Sequence, residues 1–203
     1  MITIPDPHRL VLASGSPRRR ELMRTSGLEF AVRPADIDET PLPDEAPTDY
    51  VRRLSIEKAA AATQSPLSGP DEIIVAADTT VAVDGLILEK PLDVDDAWGM
   101  LRRLSGRTHQ VHTGATVSWP ERGARRTVSV LVSTEVTFVD LSDDTIEWYL
   151  GTGEADDKAG AYGIQGAAAG FVERIEGSVT NVIGLPLAET LEMLRAAVSS
   201  STL

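Results

Sequence analysis

The sequence predicts an α/β domain, and three observations carry that expectation. Short apolar runs of strand length alternate with capped helical segments along the chain. The run Ile73 to Ala77 is continuously apolar, as in a strand covered on both faces. The chain has 203 residues and 42% hydrophobic content, enough for one sizeable core. No internal repeat, long linker or shift of composition divides it, so residues 1–203 read as one domain.

Taken in order, Leu10 to Ala13 is a short apolar strand. Ser16 and Pro17 then open a helix, as N-cap and first helical residue, and Gly27 stops it. Phe30 to Arg33 is extended, and the Pro-, Asp- and Glu-rich stretch 34–47 is a loop. Thr48 is expected to cap a second helix reaching Thr63. After the Ile73 strand, Asp84-Gly85 marks a hairpin. Asp93 caps a third helix that ends before Gly106. Thr108 to Trp119 and Thr127 to Val139 form two long strands joined by a polar loop. Ser142 caps a short helix that stops at Gly151, Gly160 to Gly170 is a loop, and Phe171 to Ile175 is a strand. Pro186 opens a last helix, with fraying expected after Val198.

Composition narrows the function. The formal net charge of -12 argues against a stable nucleic-acid complex, which needs a basic footprint. A local Arg and Lys cluster can still hold a small phosphorylated ligand. There is no Cys, so disulfides and thiolate metal sites are excluded. No apolar run approaches the roughly 18 residues of a membrane span. The first residues carry no signal-peptide pattern, so a cytoplasmic location is expected.

Four stretches can carry chemistry. Arg18, Arg19 and Arg20 sit in the first turn of a helix, where the macrodipole favours negative charge. They are either solvated side chains or part of an anion site that also uses free backbone N–H groups. Lys58 falls at i+7 from Val51, on the face that also carries Leu54. By spacing alone it reads as a lysine at the edge of the stripe with its ammonium in water. Asp78 follows the apolar run, at what reads as the carboxyl end of a strand, where α/β proteins often place catalytic groups. It can ligate a hard cation or act as a base. The segment Asp157 to Gly166 is rich in glycine, which permits close backbone approach, and Gln165 offers both donor and acceptor.

Other features are set aside. His109 and His112 point to opposite faces of a strand and make a poor metal pair. GxxxxGK[ST] and GxSxG motifs are absent, against P-loop and serine-hydrolase chemistry. Glu39 lies among other acids in a loop and reads locally as a solvated charge.

Together the chain resembles the Maf family of nucleotide pyrophosphatases. The matching stretches are Leu12 to Arg19, Glu57-Lys58-Ala59, Ala77-Asp78-Thr79, Glu89-Lys90-Pro91, Leu104 to Thr108, Asp157 to Gly166 and Gly184 to Leu187, in the family's order. The resemblance implies a single Maf-like domain with an elongated mixed sheet flanked by helices. It further implies two lobes around a cleft, similar to inosine triphosphate pyrophosphatases. The implied reaction splits a nucleoside triphosphate into monophosphate and pyrophosphate with a divalent cation, Mg²⁺ or Mn²⁺. Asp78 matches the proton acceptor. Arg18, Thr79 and Gln165 match positions tied to base choice. Ser14, Arg19, Glu39, Lys58 and Lys90 match cleft residues that hold phosphate or metal, with Glu39 and Asp78 able to hold the cation. The Asp-Thr and Ile-Gln-Gly combination resembles the branch acting on dTTP, UTP and modified pyrimidine nucleotides. A homodimer is compatible with it. The family is also associated with division arrest, so a nucleotide-binding regulator of cell division is the alternative reading. The two carboxylates and two lysines favour an enzyme.

Two geometric expectations follow. Thr79 and Gln165 should sit beside the pyrimidine edge. A three-residue loop, Val83-Asp84-Gly85, should pair Ala82 with Leu86 and so place Lys90 opposite Asp78.

Overall fold

The computed structural model describes residues 2–201. Its strands are β1 (Arg9–Leu12), β2 (Ala31–Val32), β3 (Glu72–Val83), β4 (Leu86–Leu88), β5 (Thr108–Glu121), β6 (Ala124–Phe138) and β7 (Val172–Glu176). They form one mixed sheet in the order β2-β1-β3-β5-β6-β7, with β4 also paired to β3. The β1–β2 and β1–β3 pairs are parallel; the others are antiparallel. Around the sheet lie α1 (Pro17–Thr25), α2 (Pro47–Gln64), α3 (Val94–Leu104), α4 (Asp143–Leu150), α5 (Val179–Ile183) and α6 (Leu187–Ser201).

Helix starts follow capping chemistry. The side chains of Ser16, Asp93 and Ser142 accept from the backbone N–H three residues on, as expected. The start of α2 differs from the expectation. It begins at Pro47 with Ala46 in the cap position and no side-chain cap bond, so Thr48 lies inside the first turn. The fixed φ of proline suits that first position, and Asp49 adds a favourable negative charge beside it. At the other end of the chain α6 continues to Ser201, past the residue where fraying was expected.

The Asp84-Gly85 hairpin corrects the predicted register. Val83 pairs with Leu86, Ala82 with Ile87 and Val81 with Leu88. Asp84 and Gly85 have φ of 54° and 76°, the two-residue turn with both central residues in the left-handed region. The three-residue loop is not formed, and Lys90 lies beyond the end of β4 rather than opposite Asp78. The β5–β6 connection is equally tight: Glu121 pairs with Ala124 across Arg122-Gly123.

Side-chain alternation along β3 divides the core. Ile74 and Ala76 pack with Ala59 and Ala62 of α2. Ile73, Val75 and Ala77 face the other way, onto Leu22 and Met23 of α1 and Leu194 and Ala197 of α6. A separate cluster joins Val81 and Val83 to Leu101 of α3, Tyr149 of α4, Phe138 and Phe171. These three apolar clusters hold the sheet along its length.

One glycine sets the position of α2. Gly114 of β5 stands directly across the ladder from Asp78. A Cβ there would lie 2.3 Å from the Val51 carbonyl oxygen of α2. Absence of a side chain lets the helix backbone lie flush on the sheet at the level of Asp78.

Candidate active site

Asp78 does not end its strand. β3 continues to Val83, and Asp78 lies in its middle. What ends is the neighbour. β1 pairs with β3 only as far as Leu12 opposite Val75, and β4 joins the ladder at Val81. Between those points this edge of β3 has no partner strand among the described residues. Both faces of the strand open there into one cavity of about 530 Å³. All nine residues singled out in the sequence line it. That explains how Asp78 and Lys90 share a site without the predicted register: the strand edge is open, so residues from either face reach the same space.

On the α2 face the cavity wall is acidic. Lys58 Nζ lies 2.6 Å from Asp78 Oδ1 and 2.8 Å from Glu39 Oε1. Lys58 and Asp78 are each only 7% exposed. The ammonium is not at the water-facing edge of the helix stripe, and Glu39, though still exposed in its loop, is paired with it. A buried cation needs partners, and the loop folds back to supply one. One positive and two negative charges leave this cluster net negative.

Tyr50 secures that loop. Its hydroxyl lies 2.9 Å from the Glu39 backbone oxygen and 3.2 Å from Glu89 Oε1. Burial, together with Asp78, Glu89 and Glu39, pushes the Tyr50 phenol far above its ordinary range, so it stays protonated as a donor.

On the opposite face, one residue along β3, the wall is cationic. Arg19 Nε donates to the Gly184 carbonyl at 2.7 Å, Nη1 to Ser14 Oγ at 3.3 Å and Nη2 to Thr79 Oγ1 at 3.0 Å. All three acceptors are neutral. Burial lowers the Arg19 pKa; Asp78 acts on it through space in the opposite sense. The guanidinium is thus held in a fixed orientation while its charge remains unbalanced by contact. Ser14 Oγ also accepts from the Ser16 backbone N–H, which fixes the turn into α1.

The rim closes over this wall. Arg18 lies 3.5 Å from Asp157. The Gly160 N–H donates to the Glu89 carbonyl at 3.1 Å, tying the glycine-rich segment to the chain that follows β4. That segment forms two 3-10 turns, Ala159–Ala161 and Ala167–Phe171, with extended backbone at Tyr162 and Gly166 between them. Gln165 and Lys90 are exposed on the rim. The two histidines stay out of the cavity: His109 bonds the Tyr162 hydroxyl at 2.8 Å and His112 bonds Ser133 Oγ at 2.7 Å. Burial pushes the His109 pKa down to about 4, which keeps that imidazole neutral.

Several contributors escaped the sequence reading. Tyr50 precedes Leu54 and Lys58 by four and eight residues, so helical spacing alone could have placed it on their stripe. Asn181 lies between the matching stretches and Gly184 begins one of them, and the sequence marks no role for either. The Ser178 cap of α5 was readable there, since Ser178 accepts from the Asn181 N–H. The separation of 165 residues between Gly184 and Arg19 is not bridgeable by pattern.

The donor set bears on metal binding. Among the described residues no group of three or more Asp, Glu, His or Cys side chains forms a ready cage. Glu39 and Asp78 converge on one point, the Lys58 ammonium, and present only oxygen. Mg²⁺ is commonly held by one or two carboxylates with substrate phosphates completing its shell, so this pair fits such an ion.

A family model described as "Maf-like protein" matches residues 9–197. The dTTP/UTP pyrophosphatase of Anaeromyxobacter dehalogenans (strain 2CP-C) is 52% identical over 189 residues, covering 93% of this chain and 94% of that protein. The dTTP/UTP pyrophosphatase of Hahella chejuensis (strain KCTC 2396) is 50% identical over 191 residues, covering 94% and 93%. That of Geobacter sulfurreducens (strain ATCC 51573 / DSM 12127 / PCA) is 50% identical over 187 residues, covering 92% and 95%.

Proposed function

This chain belongs to the Maf family, and from that premise we propose that it hydrolyses dTTP and UTP to the monophosphate and pyrophosphate. One observation carries the proposal beyond kinship. A half-buried guanidinium bonded only to neutral oxygens stands one residue across β3 from a net negative carboxylate cluster, in the same cavity. A triphosphate with its cation needs that pairing: positive charge for the phosphate oxygens and carboxylates for the metal.

In this reading Arg19, Lys90 and the N–H groups at the start of α1 bind the phosphate chain. Glu39 would hold Mg²⁺ or Mn²⁺ together with phosphate oxygens, with the Asp78 charge beside it. When bound, that ion neutralises the charge that repels an attacking oxygen. Lys58 holds Asp78 Oδ1, which leaves Oδ2 for the attacking water. Asp78 orients that water toward the α-phosphorus and accepts its proton, and pyrophosphate leaves. Arg18, Thr79 and Gln165 face the base.

Product analysis tests this directly. UTP should give UMP and pyrophosphate, and chelation of divalent ions should stop the reaction. UDP with free phosphate would overturn it. The membrane has no part in the reading; no helix among the described residues is long and apolar enough to cross one. A cytoplasmic homodimer acting on free nucleotides is the simplest setting for the reaction, and sedimentation of the purified chain tests the dimer.

A further inference from the structure

A row of hydrogen bonds runs inward from the cavity behind Arg19. Arg19 Nη2 lies 3.0 Å from Thr79 Oγ1, which lies 2.9 Å from Thr113 Oγ1, which lies 3.1 Å from the Asn181 backbone oxygen. Both ends of the row have fixed polarity. A guanidinium only donates and a carbonyl oxygen only accepts. Thr113 therefore gives its single proton to Asn181. The proton between the two hydroxyls must then come from Thr79. A competing acceptor for Thr79, the Gly184 carbonyl, is farther at 3.3 Å and already takes Arg19 Nε at 2.7 Å.

The inner end is rigid. Asn181 is 0% exposed, and its Nδ2 donates to the Val111 carbonyl and to Thr134 Oγ1, each at 2.9 Å. Thr113 is also 0% exposed and does not line the cavity, while Thr79 does. With its proton committed inward, Thr79 turns only lone pairs toward Arg19 and the cavity. An acceptor in that position suits a ring N–H, which uracil and thymine carry at N3 and cytosine lacks.

The geometry points to Thr113 as a positioning residue for base choice: its hydroxyl makes Thr79 a pure acceptor in the cavity. This rests on the nucleotide reading above. Thr113 touches no substrate; it acts through Thr79.

The test compares Thr113→Val, which keeps the shape and removes the hydroxyl, with Thr113→Ser, which keeps the hydroxyl. Thr113→Val should raise KM for UTP and dTTP about three- to tenfold, the worth of one neutral hydrogen bond, with kcat within about twofold. Its preference for UTP over CTP should fall by a similar factor. Thr113→Ser should restore both. An unchanged KM and UTP/CTP ratio in Thr113→Val overturns the proposal, as does an equal defect in Thr113→Ser, which would make the methyl group responsible. If Thr113→Val does not fold, Thr113→Ala carries the same expectation. The row is also read without turnover, by NMR exchange of the Arg19 guanidinium protons: faster in Thr113→Val, unchanged in Thr113→Ser. Absence of pyrophosphate release by the unaltered chain would sink the parent reading instead, and the exchange experiment would still decide this one.

Discussion

The two faces of β3 at residues 78 and 79 hold their cations in opposite ways. On the α2 face Lys58 lies between two carboxylates, within 3 Å of each. On the α1 face Arg19 is bonded to a serine, a threonine and a backbone carbonyl, all neutral. The first arrangement neutralises the cation and leaves surplus negative charge. The second orients the cation and leaves its charge available. Alternation along a strand separates the two surroundings by a single residue, and the open edge of β3 lets both act on one ligand.

Removing each cation in turn should break that comparison most visibly. Lys58→Met leaves two carboxylates facing each other, one of them buried, and should destabilise the fold by about 3–5 kcal/mol. Arg19→Met removes a half-buried charge that has no contacting counter-ion, so its stability cost should be much smaller while nucleotide affinity falls. Urea unfolding of both variants decides it, and equal losses would show that the two faces are not electrostatically distinct. Asp78→Asn comes next. It keeps the shape and removes the charge, and turnover should fall on the order of 100-fold or more if Asp78 is the base. Nucleotide binding, measured by calorimetry with a non-hydrolysable analogue, should persist because Arg19 is untouched.

Gly114→Ala sharpens the comparison through the backbone. The new Cβ meets the Val51 carbonyl, so α2 must lift, costing about 1–3 kcal/mol. The Lys58–Asp78 contact should loosen while the Arg19 contacts stay, and a crystal structure of the variant would show whether only one face moves. The smallest effect is expected at the rim. Gln165→Ala should lower discrimination among nucleotides by about three- to tenfold, the worth of one hydrogen bond, with little change in turnover of the best substrate. Unchanged selectivity in competition assays would remove Gln165 from base choice.

Local chemistry made much of the molecule legible. Ser16-Pro17, Asp93 and Ser142 start helices because their side chains bond backbone groups within three residues. Ile73 to Ala77 forms a central strand because a continuous apolar run needs cover on both faces. All nine residues that the family resemblance implies for the site line one cavity. The hairpin is the instructive exception. Facing each other across a ladder is the simpler way for Asp78 and Lys90 to share a site, and that favours the three-residue loop from sequence. The actual turn keeps the common two-residue form, and a missing neighbour strand brings the two residues to one space.

Caps, turns and apolar periods act over a few residues, so most elements, their order and the identity of the charged groups are legible in the chain, while the short α5 and the two 3-10 turns are not. Only the tertiary structure decided which charges meet. Glu39 reads locally as a solvated acid and Lys58 as a lysine at the edge of its helix stripe, yet they lie 2.8 Å apart inside the cavity. Arg19 finds its closest acceptor on Gly184, a backbone carbonyl with no signature in the residue type. Such pairings depend on where β1 stops, how closely α2 lies on Gly114 and where α5 packs. Those are properties of the assembled sheet and not of any single segment.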